Sequence, residues 1–146
     1  MGTYLNPGKI KFLMAINSEI YIDKTEMISY LNSVLNTSQR FVSVSRPRRF
    51  GKTMAADMLC AYYDREADSR SLFETRRISK QEKGDSELKW DKYLGKFDVI
   101  RIVMTDFVKK GASIDLALEK LQKLIVRDLS KAYPEVEFFD KNDLLQ

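Results

Sequence analysis

The segment Ser45-Arg46-Pro47-Arg48-Arg49-Phe50-Gly51-Lys52-Thr53 stands between an apolar run, Arg40-Phe41-Val42-Ser43-Val44, and the stretch Met54-Ala55-Ala56-Asp57-Met58-Leu59. A Gly-Lys-Thr triplet therefore sits where a predicted strand turns into a predicted helix, which is the context of a phosphate-binding loop. In such a loop the glycine lets the backbone curl, so that successive N–H groups and the positive end of the new helix face one anion. The lysine reaches the outer phosphates and the threonine hydroxyl takes a Mg²⁺ site. The general pattern has a second glycine five positions before the first, and here that position is Arg46. Four cationic side chains (Arg46, Arg48, Arg49 and Lys52) crowd a helix N-terminus, where a positive charge is disfavoured by up to about 1 kcal/mol. A bound anion accounts for that crowding. The alternative is a plain connecting turn with Lys52 solvated.

The 146 residues are the size of one domain, and a hydrophobic content of 44% with 11% aromatics suffices for a core. A formal charge of +4 falls short of the clustered surplus that would by itself indicate nucleic acid. The absence of histidine excludes a Ser-His-Asp triad, a histidine metal ligand and an imidazole proton shuttle. The single cysteine, Cys60, lies in the apolar segment Met58 to Tyr62 and reads as a buried structural residue. No run approaches the roughly 18 apolar residues of a membrane span, and no apolar signal core opens the sequence, so a cytoplasmic chain is expected.

Along the chain, an irregular start containing Pro7-Gly8 leads to a predicted short strand, Glu19 to Ile22, with Ile20 and Ile22 alternating. Asp23 reads as an N-cap with Glu26 as its capping-box partner. The helix that follows, about Lys24 to Leu35, carries Met27, Ile28, Leu31, Val34 and Leu35 on one face. Phe41 to Val44 is the predicted strand before the loop, and Lys52 to Tyr63 a helix whose Met54, Ala55, Met58, Leu59 and Tyr62 face a core. Asp64 to Ser71 reads as a polar break and Ile78 to Leu88 as a charge-rich loop, after which Trp90 anchors the returning chain. A last strand is predicted from Phe97 to Met104. Ser113 caps a helix through Tyr133 with Ile114, Leu118, Leu121, Ile125 and Leu129 on one face, and Pro134 stops it. Residues 1–134 form the domain and 135–146 an acidic tail. Alternating strands and helices predict an α/β fold with parallel pairing.

The string Arg-Pro-Arg-Arg-Phe-Gly-Lys-Thr resembles the central motif of the AAA-ATPase-like family of bacterial and archaeal P-loop proteins, in which arginines replace the first loop glycine. Tyr21-Ile22-Asp23-Lys24-Thr25 is similar to that family's Tyr-x-Asp-Lys-Thr element. Leu72-Phe73, Trp90 and the run Phe97 to Ile102 match its later landmarks, so the resemblance extends to about residue 130.

The resemblance implies a P-loop NTPase-like three-layer parallel sheet, of which this chain holds the N-terminal part, leaving an incomplete sheet. It also implies a variant Walker A loop binding ATP and Mg²⁺ through Arg46, Pro47, Arg48, Arg49, Phe50, Gly51, Lys52 and Thr53. In that reading Lys52 lies on the β/γ-phosphates, Thr53 on the metal, and Arg46, Arg48 or Arg49 add charge. Asp106 is the sole candidate for a metal-holding acid, and Arg101 and Thr105 make it a poor fit to a strand-end carboxylate. The strand ending in paired acids comes later in the family, so hydrolysis is expected of a complete family protein, and this chain reads as an N-terminal fragment. Two alternatives stand beside nucleotide binding: a module whose arginines contact nucleic acid or a protein partner, and an inactive remnant.

Overall fold

The computed structural model describes residues 4–81, 89–107 and 113–138. The chain forms two compact units, Gly8–Asp98 and a second that joins Met1–Pro7 to Val99–Gln146.

In the Gly8–Asp98 unit, helical periodicity is realised in α1 (Ile10–Ile16), α2 (Glu26–Val34), α3 (Lys52–Tyr63) and the short α4 (Arg70–Phe73), followed by a 3-10 turn, Arg77–Gln81. The core consists of Phe12, Ile28, Met58, Ala61, Tyr62, Phe73 and Ile78. Phe12 stacks on Phe73 with ring centroids 5.3 Å apart, and Tyr62 meets Phe73 edge-on at 5.4 Å. Burial of each such large apolar side chain contributes about 1.5–3 kcal/mol. The Tyr62 hydroxyl, carried into this core, accepts from Asn32 Nδ2 at 2.9 Å and donates to the Trp90 carbonyl at 2.6 Å. Trp90 thus returns the chain to the core, as expected, and Cys60 is buried.

Several sequence expectations shift by a few residues. α2 begins at Glu26 with Thr25 at its N-cap. Asp23 lies further upstream and accepts from both the N–H and the hydroxyl of Thr25, at 2.9 and 2.7 Å. The irregular start contains α1, whose Phe12 is buried and Ile16 half-buried one turn on. The supposed polar break begins with Asp64, which is fully buried and accepts from Gly8 N at 2.7 Å and Glu66 N at 2.8 Å. The charge-rich loop opens with Ile78, a core residue, and its remainder at 82–88 lies outside the described residues.

The expected α/β fold with a parallel sheet is not present. Among the described residues there is no strand, only two single-residue bridges, Leu5 with Ile100 (antiparallel) and Asp64 with Phe97 (parallel). The first predicted strand carries apolar alternation and the other two are apolar runs, yet among the described residues they lack a ladder. Ile20 and Ile22 are exposed, Phe41 is 84% exposed, and Ile100 and Ile102 are both exposed. Alternation specifies an extended backbone with one apolar face; a sheet needs neighbours to accept its N–H groups. Among the described residues these segments form no ladder, so the three-layer P-loop sheet is corrected to a mainly helical arrangement with extended connections.

In the second unit Arg101 N donates to Tyr4 O at 2.8 Å and Tyr4 N donates to Asp128 Oδ2 at 2.8 Å. Asp128 lies on α5 (Ile114–Ala132), whose Ser113 cap accepts from Asp115 N at 3.2 Å as the sequence predicts. The predicted apolar stripe divides. Ile125 is buried and Leu129 half-buried, but Ile114 and Leu118 are exposed.

Candidate functional site

α3 begins where the chain passes through two left-handed residues, Arg49 (φ 67°) and Gly51 (φ 75°), on either side of Phe50. Gly51 is the N-cap and contributes no side-chain cap, so the first backbone N–H groups of α3 have no intrahelical acceptor and point out of its end. An arginine with positive φ is strained by about 1–2 kcal/mol, whereas glycine adopts that conformation freely.

Lys52, the first residue of α3, folds back over the loop: its Nζ donates to the carbonyls of Arg46 and Pro47, the latter at 2.9 Å. Those carbonyl dipoles offset the repulsion between an ammonium and the positive helix end. Across the loop, Lys24 Nζ donates to Phe50 O at 2.8 Å. A Cβ on Gly51 would stand 2.9 Å from that same Nζ. A larger residue at this position would displace the ammonium from its place beside the helix end.

Lys24 is held there by a local clip. Asp23 Oδ2 accepts from Arg77 N at 2.9 Å, and the fully buried Thr25 Oγ1 accepts from Ile78 N at 3.1 Å. Burial pushes the Asp23 carboxyl up, but hydrogen bonds from the Thr25 and Arg77 N–H groups and the Thr25 hydroxyl, with the Arg76 charge, outweigh it and hold the carboxyl below its ordinary range. Tyr21 shifts the other way: burial raises its phenol and the Asp23 charge adds to this, against the guanidinium of Arg76, which lies 5.1 Å above the ring.

Between these elements lies a cavity of about 480 Å³ whose lining includes Lys24, Arg46, Phe50, Gly51 and Lys52. A second, of about 220 Å³, shares Lys24, Phe50 and Gly51 and adds Arg49. No acidic side chain lines either among the described residues. The larger one is within the usual size range of small-ligand pockets. Of the sequence candidates, Arg46, Phe50, Gly51 and Lys52 are brought together at the larger cavity and Arg49 at the smaller. Pro47 contributes its carbonyl to Lys52, while Arg48 and Thr53 are exposed beside the loop and line neither cavity. Asp106 is exposed in a 3-10 turn, Met104–Asp106, of the other unit. Lys24 was not among the sequence candidates. Its partner Phe50 is 26 positions away, and the only sequence sign was its place in the Tyr-x-Asp-Lys-Thr element.

A family model described as "Predicted AAA-ATPase" matches residues 12–144. The chain belongs to the AAA-ATPase-like family. Membership is consistent with nucleotide binding, and the matched span contains both the Tyr-x-Asp-Lys-Thr element and the arginine-rich loop. No curated protein and no solved structure matches the chain. No helix among the described residues is long and apolar enough to cross a membrane. No group of three His, Cys, Asp or Glu side chains among them is placed to hold a metal.

Proposed function

We propose that this AAA-ATPase-like chain binds a nucleoside triphosphate, ATP, through a variant Walker A loop formed by residues 46–53. The observation that carries the reading is the cavity at the N-terminus of α3, where Lys24, Arg46 and Lys52 meet with no acidic side chain in the lining among the described residues. A polyanion is the ligand chemistry such a lining favours. The glycine is compatible with the same conclusion, since a Cβ at position 51 would stand 2.9 Å from the Lys24 ammonium that lines this cavity.

In this reading the N–H groups of residues 48–51 and the end of α3 face the phosphates. Lys52 releases the Arg46 and Pro47 carbonyls to reach the outer phosphates, and the Arg46 guanidinium adds a planar fork suited to phosphate oxygens. Mg²⁺, when bound with the nucleotide, neutralises part of the phosphate charge, and Thr53, in the first turn of α3, would offer it a hydroxyl oxygen. The function proposed for these residues is binding; hydrolysis belongs to a protein that also supplies a metal-holding acid.

Titration with a fluorescent ATP analogue tests this. The parent chain is expected to bind and Lys52→Ala to lose most of the affinity with its melting temperature unchanged. Equal affinities of the two proteins would overturn the reading.

A further inference from the structure

We infer that Lys24 is a second phosphate-binding lysine at this site, reading the outer phosphates of the nucleotide from a segment outside the loop. The inference rests on the nucleotide reading above and assigns a ligand contact to a residue outside the loop. An ammonium has three donors. Lys24 spends one on Phe50 O, whereas Lys52 spends two on the Arg46 and Pro47 carbonyls. Lys24 therefore has two donors unspent among the described residues, makes no ion pair there, and is half-buried in the lining of both cavities.

Its position is fixed at both ends. Asp23 and Thr25 tie the backbone on either side of it to Arg77 and Ile78, and its Nζ is tied to Phe50 O beside the helix N-cap. A long, flexible side chain held in this way has already lost much of the rotamer freedom that binding would otherwise remove. Three cations around one cavity with no acidic lining among the described residues suit a ligand with several negative charges close together better than one with a single charge. This points to the β- and γ-phosphates rather than to the single phosphate of a monophosphate.

The experiment is calorimetric titration of the parent, Lys24→Met, Lys24→Arg and Lys52→Ala proteins with ATP, AMP and inorganic tripolyphosphate, with a thermal melt of each free protein. Lys24→Met keeps the length of the side chain and removes its charge. It is expected to weaken ATP and tripolyphosphate about tenfold or more, the order of one lost charge-assisted hydrogen bond, while AMP changes little and Lys24→Arg recovers most of the loss. Parental ATP affinity in Lys24→Met, beside a loss in Lys52→Ala, overturns the role of Lys24 and leaves nucleotide binding standing. An equal fall for ATP and AMP also overturns it, because that marks lost support of the loop. If the parent binds tripolyphosphate in a Lys24-dependent way but does not bind ATP, the lysine assignment holds and the nucleotide reading falls. If the parent binds neither ligand, both fall.

Discussion

A Cβ on Gly51 would stand 2.9 Å from Lys24 Nζ, and the backbone of Gly51 is left-handed at φ 75°. Gly51→Ala therefore meets two penalties. The backbone strain, about 1–2 kcal/mol, appears as lost stability in a denaturant titration. The steric contact falls on the far end of a flexible side chain, which moves aside at little energetic expense but leaves Phe50 O. The expected result is a moderate loss of stability with a larger relative loss of ATP affinity. Unchanged stability would mean that the loop adopts another conformation in solution.

Tyr62 is expected to be the most sensitive polar position of the core. Its hydroxyl joins Asn32 on α2 to the Trp90 carbonyl, and Tyr62→Phe leaves both partners short of a hydrogen bond. A loss of about 1–3 kcal/mol follows from the desolvated partners, measured as a shift in urea midpoint at constant slope. A neutral substitution would show that water replaces the hydroxyl.

Asp23 provides a pH-dependent contribution. Its carboxyl is held below the ordinary range in the folded chain, so the folded state binds its proton less readily than the unfolded state. The stability it contributes is complete above the unfolded pKa, about 4, and is lost as pH falls through the folded value. Asp23→Asn should lower stability at neutral pH and make the acid-side decline shallower. Parallel pH profiles for the two proteins would remove Asp23 from that account.

α2, α3 and α5 were legible in the sequence because each carries its own evidence, whereas α1, in the stretch read as an irregular start, and α4, which begins in the stretch read as a polar break, were not. α3 ends where its apolar spacing ends, and Ser113 caps α5 through a bond to a residue two positions on. The sheet was not legible as absent, because Phe41 to Val44 and Phe97 to Met104 are apolar runs of strand length, and pairing depends on other segments. Arg46, Gly51 and Lys52 could be named as candidates from one contiguous motif, and they line one cavity. Lys24 could not, since its approach to Gly51 comes from a long-range bond to Phe50 and a clip onto residues 77 and 78 that no local periodicity encodes. The unbroken reading of Ile114 to Leu129 as one buried stripe failed for a related reason: periodicity defines a face, and only contacts decide how much of its length is covered.

Arg49 separates stability from binding. It holds φ 67° without being glycine, and its side chain lines the smaller cavity beside Lys24. Arg49→Gly relieves strain of about 1–2 kcal/mol but adds chain freedom to the unfolded state, worth roughly 0.5–1 kcal/mol, so a net gain between about 0 and 1.5 kcal/mol is expected. Arg49→Ala keeps the strain and should leave stability near that of the parent. Both variants lose the guanidinium and should bind ATP more weakly to a similar degree, with less dependence on salt, because one phosphate-directed charge is gone. A strained residue retained at the expense of stability is what a binding role predicts. Denaturant titration and ATP titration of the same two variants check the pairing. If Arg49→Gly proves less stable than Arg49→Ala, the left-handed backbone at this position carries less strain than the added chain freedom costs, and if both bind ATP like the parent, the arginine is solvated surface.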